Sequence, residues 1–116
     1  MLLLALLLVA FVVPRSDVAG RERQASPQPF VSLWVDPAHG DDAREGRTRS
    51  TALRTLSEAW RLVPARVPLA RAYRILLVRG RYDRDDVPVY WESRWGTRAH
   101  PITLVSADGP GAAILP

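Results

Sequence analysis

Apolar positions along the chain fall into three rhythms, and each predicts a different element. The first is unbroken: Leu2 to Val13 is apolar throughout, with no polar face, and Pro14 closes it. Its length fits the roughly 7–15 residue core of a signal peptide and falls short of the about 20 residues that span a bilayer. Val18-Ala19-Gly20 offers the small residues a signal peptidase accepts, so residues 1–20 read as an export signal cut after Gly20. Its n-region holds no Lys or Arg, only the α-amino charge. A buried N-terminal helix is the alternative, and the missing polar stripe argues against it. Residues 21–29 are polar, carry two prolines and read as a flexible linker. Residues 30–116 are then the folded part.

The second rhythm is short and β-like. Phe30-Val-Ser-Leu-Trp-Val35 is rich in β-branched and aromatic residues and stops at Asp36-Pro37, which predicts a strand and a turn. Ala38 to Gly46 is turn chemistry built on Gly and Asp. Arg74-Ile-Leu-Leu-Val-Arg79 is nearly continuous in apolar residues, the pattern of a strand buried on both faces in a parallel sheet. Gly80-Arg-Tyr82 turns the chain. Val87-Pro-Val-Tyr-Trp91 predicts a short edge strand, since Pro88 excludes a central position. Ser93–His100 reads as a loop, Pro101–Ser106 as a strand, Asp108–Gly111 as a turn and Ala112–Leu115 as the start of another strand.

The third rhythm is helical. Leu56, Ala59, Trp60 and Val63 fall at i, i+3, i+4 and i+7, one face of a helix that Pro64 stops. Thr55 and Glu58 have the spacing of a capping box, with the hydroxyl and the carboxylate satisfying the first free amides. The predicted helix covers about 55–63.

Composition narrows the partners. The chain has 16 basic and 12 acidic residues, a net charge of +4, and no Cys. Disulfide scaffolds, thiolate metal sites and cysteine nucleophiles are therefore excluded, and an exported chain of this kind must be held by a packed core. All basic residues are Arg, scattered and interleaved with acids as in Arg81–Asp86. A phosphate-binding surface would be a clustered stripe, so nucleic acid is not an expected partner. No stretch is long enough for a stable membrane span once the leader is removed.

Candidate chemistry is sparse. Tyr90, Trp91 and Trp95 crowd a Pro-containing loop beside Glu92 and Arg94, and aromatic faces of this kind pack on sugar rings; the same rings also serve to pin a long loop on the core. Asp36, Asp41, Asp42 and Glu45 are oxygen donors of the type calcium takes, although they lack the alternating spacing of a dedicated loop and suit Asp-Gly turns equally well. His39 and His100 sit among turn residues without a triad pattern. Glu58 and Glu92 are not taken as a glycosidase pair, since Glu58 is assigned to the helix cap and a sequence gives no carboxylate separation. No catalytic residue is identified.

The order of these segments resembles the N-terminal region of secreted right-handed parallel β-helix proteins, the pectate-lyase-like superfamily. The resemblance runs over roughly residues 31 to 115. It is carried by Trp34-Val-Asp-Pro37, Gly40-Asp-Asp-Ala43, Leu53-Arg-Thr-Leu-Ser-Glu-Ala59, Ile75-Leu-Leu-Val-Arg-Gly-Arg-Tyr82, Gly96-Thr-Arg-Ala-His-Pro-Ile-Thr-Leu104 and Gly109-Pro-Gly-Ala-Ala-Ile114. It implies a mainly β fold: the N-terminal cap and first coil or coils of a right-handed parallel β-helix, with the helix at 55–63 lying across the end of the solenoid. Thr55, Leu56, Glu58, Ala59, Trp60 and Val63 would then be the cap residues, because a terminal coil otherwise exposes apolar side chains and unpaired amides.

It further implies an exported carbohydrate-active protein, a polysaccharide lyase or glycoside hydrolase, with an extracellular polysaccharide as partner. Catalytic groups and calcium-binding carboxylates of such proteins lie on later coils, and none maps onto this sequence. Since stable solenoids need about three repeats, the chain reads as a truncated cap, not catalytic alone. A non-catalytic extracellular adhesion scaffold and a small free-standing exported binding domain are the alternatives.

Overall fold

The computed structural model describes residues 29–116. The predicted signal peptide and residues 21–28 of the predicted linker lie outside the described residues. What is described is mainly β, with small parallel sheets and few helices. Five strands occur in chain order: β1 (Phe30–Val35), β2 (Ala72–Leu77), β3 (Gly80–Arg81), β4 (Ile102–Ser106) and β5 (Ala113–Ile114). The α-helix, α1, spans Leu56–Leu62 between β1 and β2.

Every pairing is parallel. β1, β2 and β4 form one sheet in that order, and β3 pairs with β5 in a second. The register stacks like on like: Leu33 beside Ile75 beside Leu104, and Val31 beside Tyr73 beside Ile102. Between β2 and β3 the chain crosses from the first sheet to the second in Val78 and Arg79; between β4 and β5 it does so over residues 107–112. The same path is thus traced twice, one layer above the other.

The core gathers Leu33 and Val35 of β1, Ile75 and Leu77 of β2, Leu56 and Ala59 of α1, and Leu53, Val63, Leu69 and Tyr82. β1 buries alternate residues as a one-sided strand should. β2 corrects the sequence expectation: it begins at Ala72, ends at Leu77, and buries Ile75 and Leu77 while Arg74 and Leu76 stay half-exposed, so only one face is core. The predicted edge strand at 87–91 does not form. Val89 and Tyr90 are exposed and the segment pairs with nothing among the described strands; Pro88 removes a donor that pairing would need.

Gly80 and Tyr82 make the crossing after β2 possible. Gly80 takes φ +149°, and a Cβ there would stand 2.7 Å from Pro37 Cγ. Tyr82 is buried, and its hydroxyl donates to Val78 O at 2.8 Å and to Val35 O at 3.1 Å, tying the ends of β1 and β2 together. Asp108 links the layers on the other side, accepting Arg79 N and Arg49 Nη2, each at 2.8 Å. Those two donors, the backbone amide foremost, hold its carboxyl below the usual carboxylate range.

Candidate functional site

The helix cap is half as predicted. Thr55 accepts Glu58 N at 3.1 Å, and Leu56, Ala59 and Val63 are buried. Glu58 does not complete a capping box; its carboxylate turns outward to Arg61, with Nε at 2.8 Å. Asp42 takes the vacated role from across the loop. One oxygen accepts Arg54 N at 2.8 Å and Thr55 N at 2.9 Å, and the other accepts the Thr55 hydroxyl at 2.8 Å. Both the capping threonine and the amides before the helix are thereby satisfied by a residue in the Gly/Asp turn.

The carboxylates expected as calcium candidates are taken up in hydrogen bonds with the chain itself. Asp36 Oδ1 accepts Ala38 N and His39 N, each at 3.0 Å, and Asp41 Oδ1 accepts Ala43 N at 2.9 Å. Asp36 and Asp41 thus each close a local turn, while Asp42 is committed to the helix cap. Among the described residues no group of three or more Asp, Glu or His is placed to hold a metal ion. Glu45 is exposed. His39 is exposed beside Asp36, and His100 closes a turn with Thr97, its N–H donating to Thr97 Oγ1 at 3.0 Å.

The aromatic residues separate. Tyr90 is 73% exposed and stands apart. Trp91 and Trp95 instead line an open cleft of about 450 Å³ together with Trp60, Arg94, Thr97 and Ile102. Trp60, expected among the buried cap residues, is half-buried at the edge of the helix face, where it packs on the core from one side and on Trp91 from the other. The Trp60 and Trp91 rings meet edge to face, with centroids 5.0 Å apart and planes at 68°. Trp60 Nε1 is buried without a hydrogen-bond partner, so ring packing alone holds the indole there.

Arg94 builds the wall of this cleft. Its Nε donates to Val63 O at 2.6 Å and its Nη2 to Arg61 O at 3.0 Å, placing the guanidinium on carbonyls at the C-terminal end of α1. Arg66 N donates to Ser93 O at 2.7 Å, a second tie between the segment after α1 and the loop that carries the tryptophans. The sequence placed Arg94 beside the aromatic loop but not its bonds to the helix, because those partners lie 31 and 33 residues away. Trp60 was legible as one of four residues on the helical face, but not as a ring that reaches past the core into the cleft.

The described residues thus define a mainly β chain of stacked parallel ladders with one capped helix and an aromatic cleft beside it. No protein-family model matches the sequence, and no curated protein matches it. Among solved structures, the native GH136 lacto-N-biosidase from Eubacterium ramulus is similar, with a TM-score of 0.50 and 22% sequence identity. The match covers 79% of this chain and 13% of that enzyme's chain, and at this identity the likeness is one of fold.

Proposed function

We propose that the chain is the N-terminal capping portion of an exported right-handed parallel β-helix protein of the carbohydrate-active type, a polysaccharide lyase or glycoside hydrolase, and that it is not catalytic by itself. The observation carrying this reading is the in-register stack: a path repeated in two layers, covered at the β1 end and free at the β4 edge. A solenoid needs that geometry, since each coil pairs with the next and the terminal coil needs a lid. α1 meets that need by setting Leu56 and Ala59 against the same core as Leu33 and Val35. The fold likeness to a lacto-N-biosidase supports the carbohydrate-active assignment, and the apolar leader supports export to the cell envelope or medium.

Among the described residues no helix is long and apolar enough to cross a membrane. The proposed partner is an extracellular polysaccharide.

The test is expression in a secreting host, with N-terminal sequencing of the product and a reducing-end assay on neutral and uronate polysaccharides. Cleavage after Gly20 and no turnover by this chain are the expected results. Retention in the cell with Met1 intact would overturn export. Turnover by this chain alone would overturn its assignment as a non-catalytic cap.

A further inference from the structure

Two large indoles stand open to solvent in the same cleft: Trp91 is 44% and Trp95 46% exposed. They are not loose. Trp91 is braced edge to face by Trp60, and the loop between them is pinned through Arg94 to the carbonyls of Arg61 and Val63. Rings presented on a backbone already fixed lose little conformational freedom on binding.

The lining mixes these rings with polar groups. Thr97 Oγ1 accepts His100 N, which leaves its own O–H to donate into the cleft. The charged side chain in the lining is Arg94, and it faces the helix carbonyls. A volume of about 450 Å³ is in the range of small-ligand sites.

From this geometry we propose that the cleft binds a pyranose ring of a neutral glycan, its C–H face on Trp91 and Trp95 and a hydroxyl at Thr97. A pyranose has an apolar face and a rim of hydroxyls, which the indoles and the threonine match. The indole faces make up most of the contact offered, and the Arg94 Nε and Nη2 bonded to Val63 O and Arg61 O are turned to the helix and not to a uronate carboxylate. The inference rests on the carbohydrate-active reading for its ligand class and adds that the cap itself holds glycan, in a cleft walled on one side by Ile102 and Leu104 of β4.

The experiment is saturation-transfer NMR and tryptophan fluorescence on the full chain with lactose, cellobiose and digalacturonic acid. Expected are saturable, roughly millimolar binding of at least one neutral disaccharide, with saturation passing to its ring C–H protons, and weaker binding of digalacturonic acid. Trp91→Ala and Trp95→Ala should each weaken binding on the order of tenfold or more, while Tyr90→Ala leaves it unchanged. Trp91→Phe and Trp95→Phe keep a ring, and their partial binding serves as the readout should the alanine variants unfold.

No transfer to either neutral sugar, undiminished binding in folded Trp91→Ala and Trp95→Ala proteins, preference for digalacturonic acid, or capture of a proline-rich peptide in place of sugar would each overturn it. The two readings fail separately. Sugar binding by this chain together with polysaccharide turnover by it would sink the non-catalytic cap reading and leave the cleft standing.

Discussion

The two ends of the β1-β2-β4 stack are built from similar residues and treated in opposite ways. At the β1 end the outward amides are used: Trp34 N donates to Gly46 O at 2.6 Å and Asp36 N to Leu53 O at 2.8 Å, while Leu53 N returns a bond to Trp34 O. At the β4 end the inward amides are paired, with Ala107 N donating to Leu77 O at 2.8 Å, and no described strand adjoins the outer edge. The side chains follow suit. In one column Leu33 is 2% exposed, Ile75 0% and Leu104 38%. Apolar character does not decide burial here; position in the stack does. A free edge with a half-open apolar column is the state that a further strand would relieve.

The sharpest way to test that contrast is to shorten the column at two heights. Ile75→Ala should cost roughly 3–5 kcal/mol by chemical denaturation, as a truncation at a fully buried site. Leu104→Ala, two layers from the lid, should cost less than about 1.5 kcal/mol. Equal costs would show the two ends to be energetically alike.

Next in size is Gly40→Ala in the loop that seals the β1 end. Its Cβ would fall 2.0 Å from Leu53 O, so the backbone must move, at a cost of about 3 kcal/mol. A melting temperature unchanged from the parent would mean that the loop is not clamped there.

Tyr82→Phe should destabilise by about 1–3 kcal/mol, because Val35 O and Val78 O lose a buried donor. Burial, helped by Asp36 and Asp108, pushes the Tyr82 hydroxyl well above its ordinary value. The folded chain therefore keeps a proton that the unfolded chain gives up above about pH 10. Stability from this group is whole below that pH and falls as pH rises through the alkaline range. The phenylalanine variant should lose that part of the alkaline decline, as urea midpoints between pH 8 and 11 would reveal.

The smallest effect expected is at the helix start, where Thr55→Ala should cost about 1 kcal/mol. Asp42→Ala should match or exceed it, since its carboxylate bonds the same threonine. A silent Asp42→Ala would break the account of a cap supplied by the turn.

The strands and the helix were legible because local patterns governed them. Phe30–Val35 and Ile102–Ser106 are compact β-type runs, and Leu56, Ala59 and Val63 repeat at the helical period. Gly80-Arg-Tyr82 was legible as a turn, but not as a two-residue strand, because its pairing with Ala113–Ile114 is a property of the stack. The misplaced strand at 87–91 shows the limit of β-propensity without a partner edge. The capping role of Asp42 and the pinning role of Arg94 escaped because each serves a backbone group far along the chain, a relation with no period. The aromatic cleft was half legible: of the three loop aromatics, Trp91 and Trp95 line it and Tyr90 does not, while Trp60, read as a buried cap residue, forms part of its wall.

Amide hydrogen exchange, resolved by residue, tests the sealed-and-open account most directly. Counting back in twos from Ala107, whose N–H reaches β2, the amides of Val105 and Thr103 also face β2 and those of Ser106 and Leu104 face away. The account predicts slow exchange at Trp34 and Asp36 on the sealed edge, and fast exchange at Leu104 and Ser106 alternating with slow exchange at Thr103, Val105 and Ala107. Uniform protection along Ile102–Ser106, or fast exchange at Trp34 and Asp36, would contradict it.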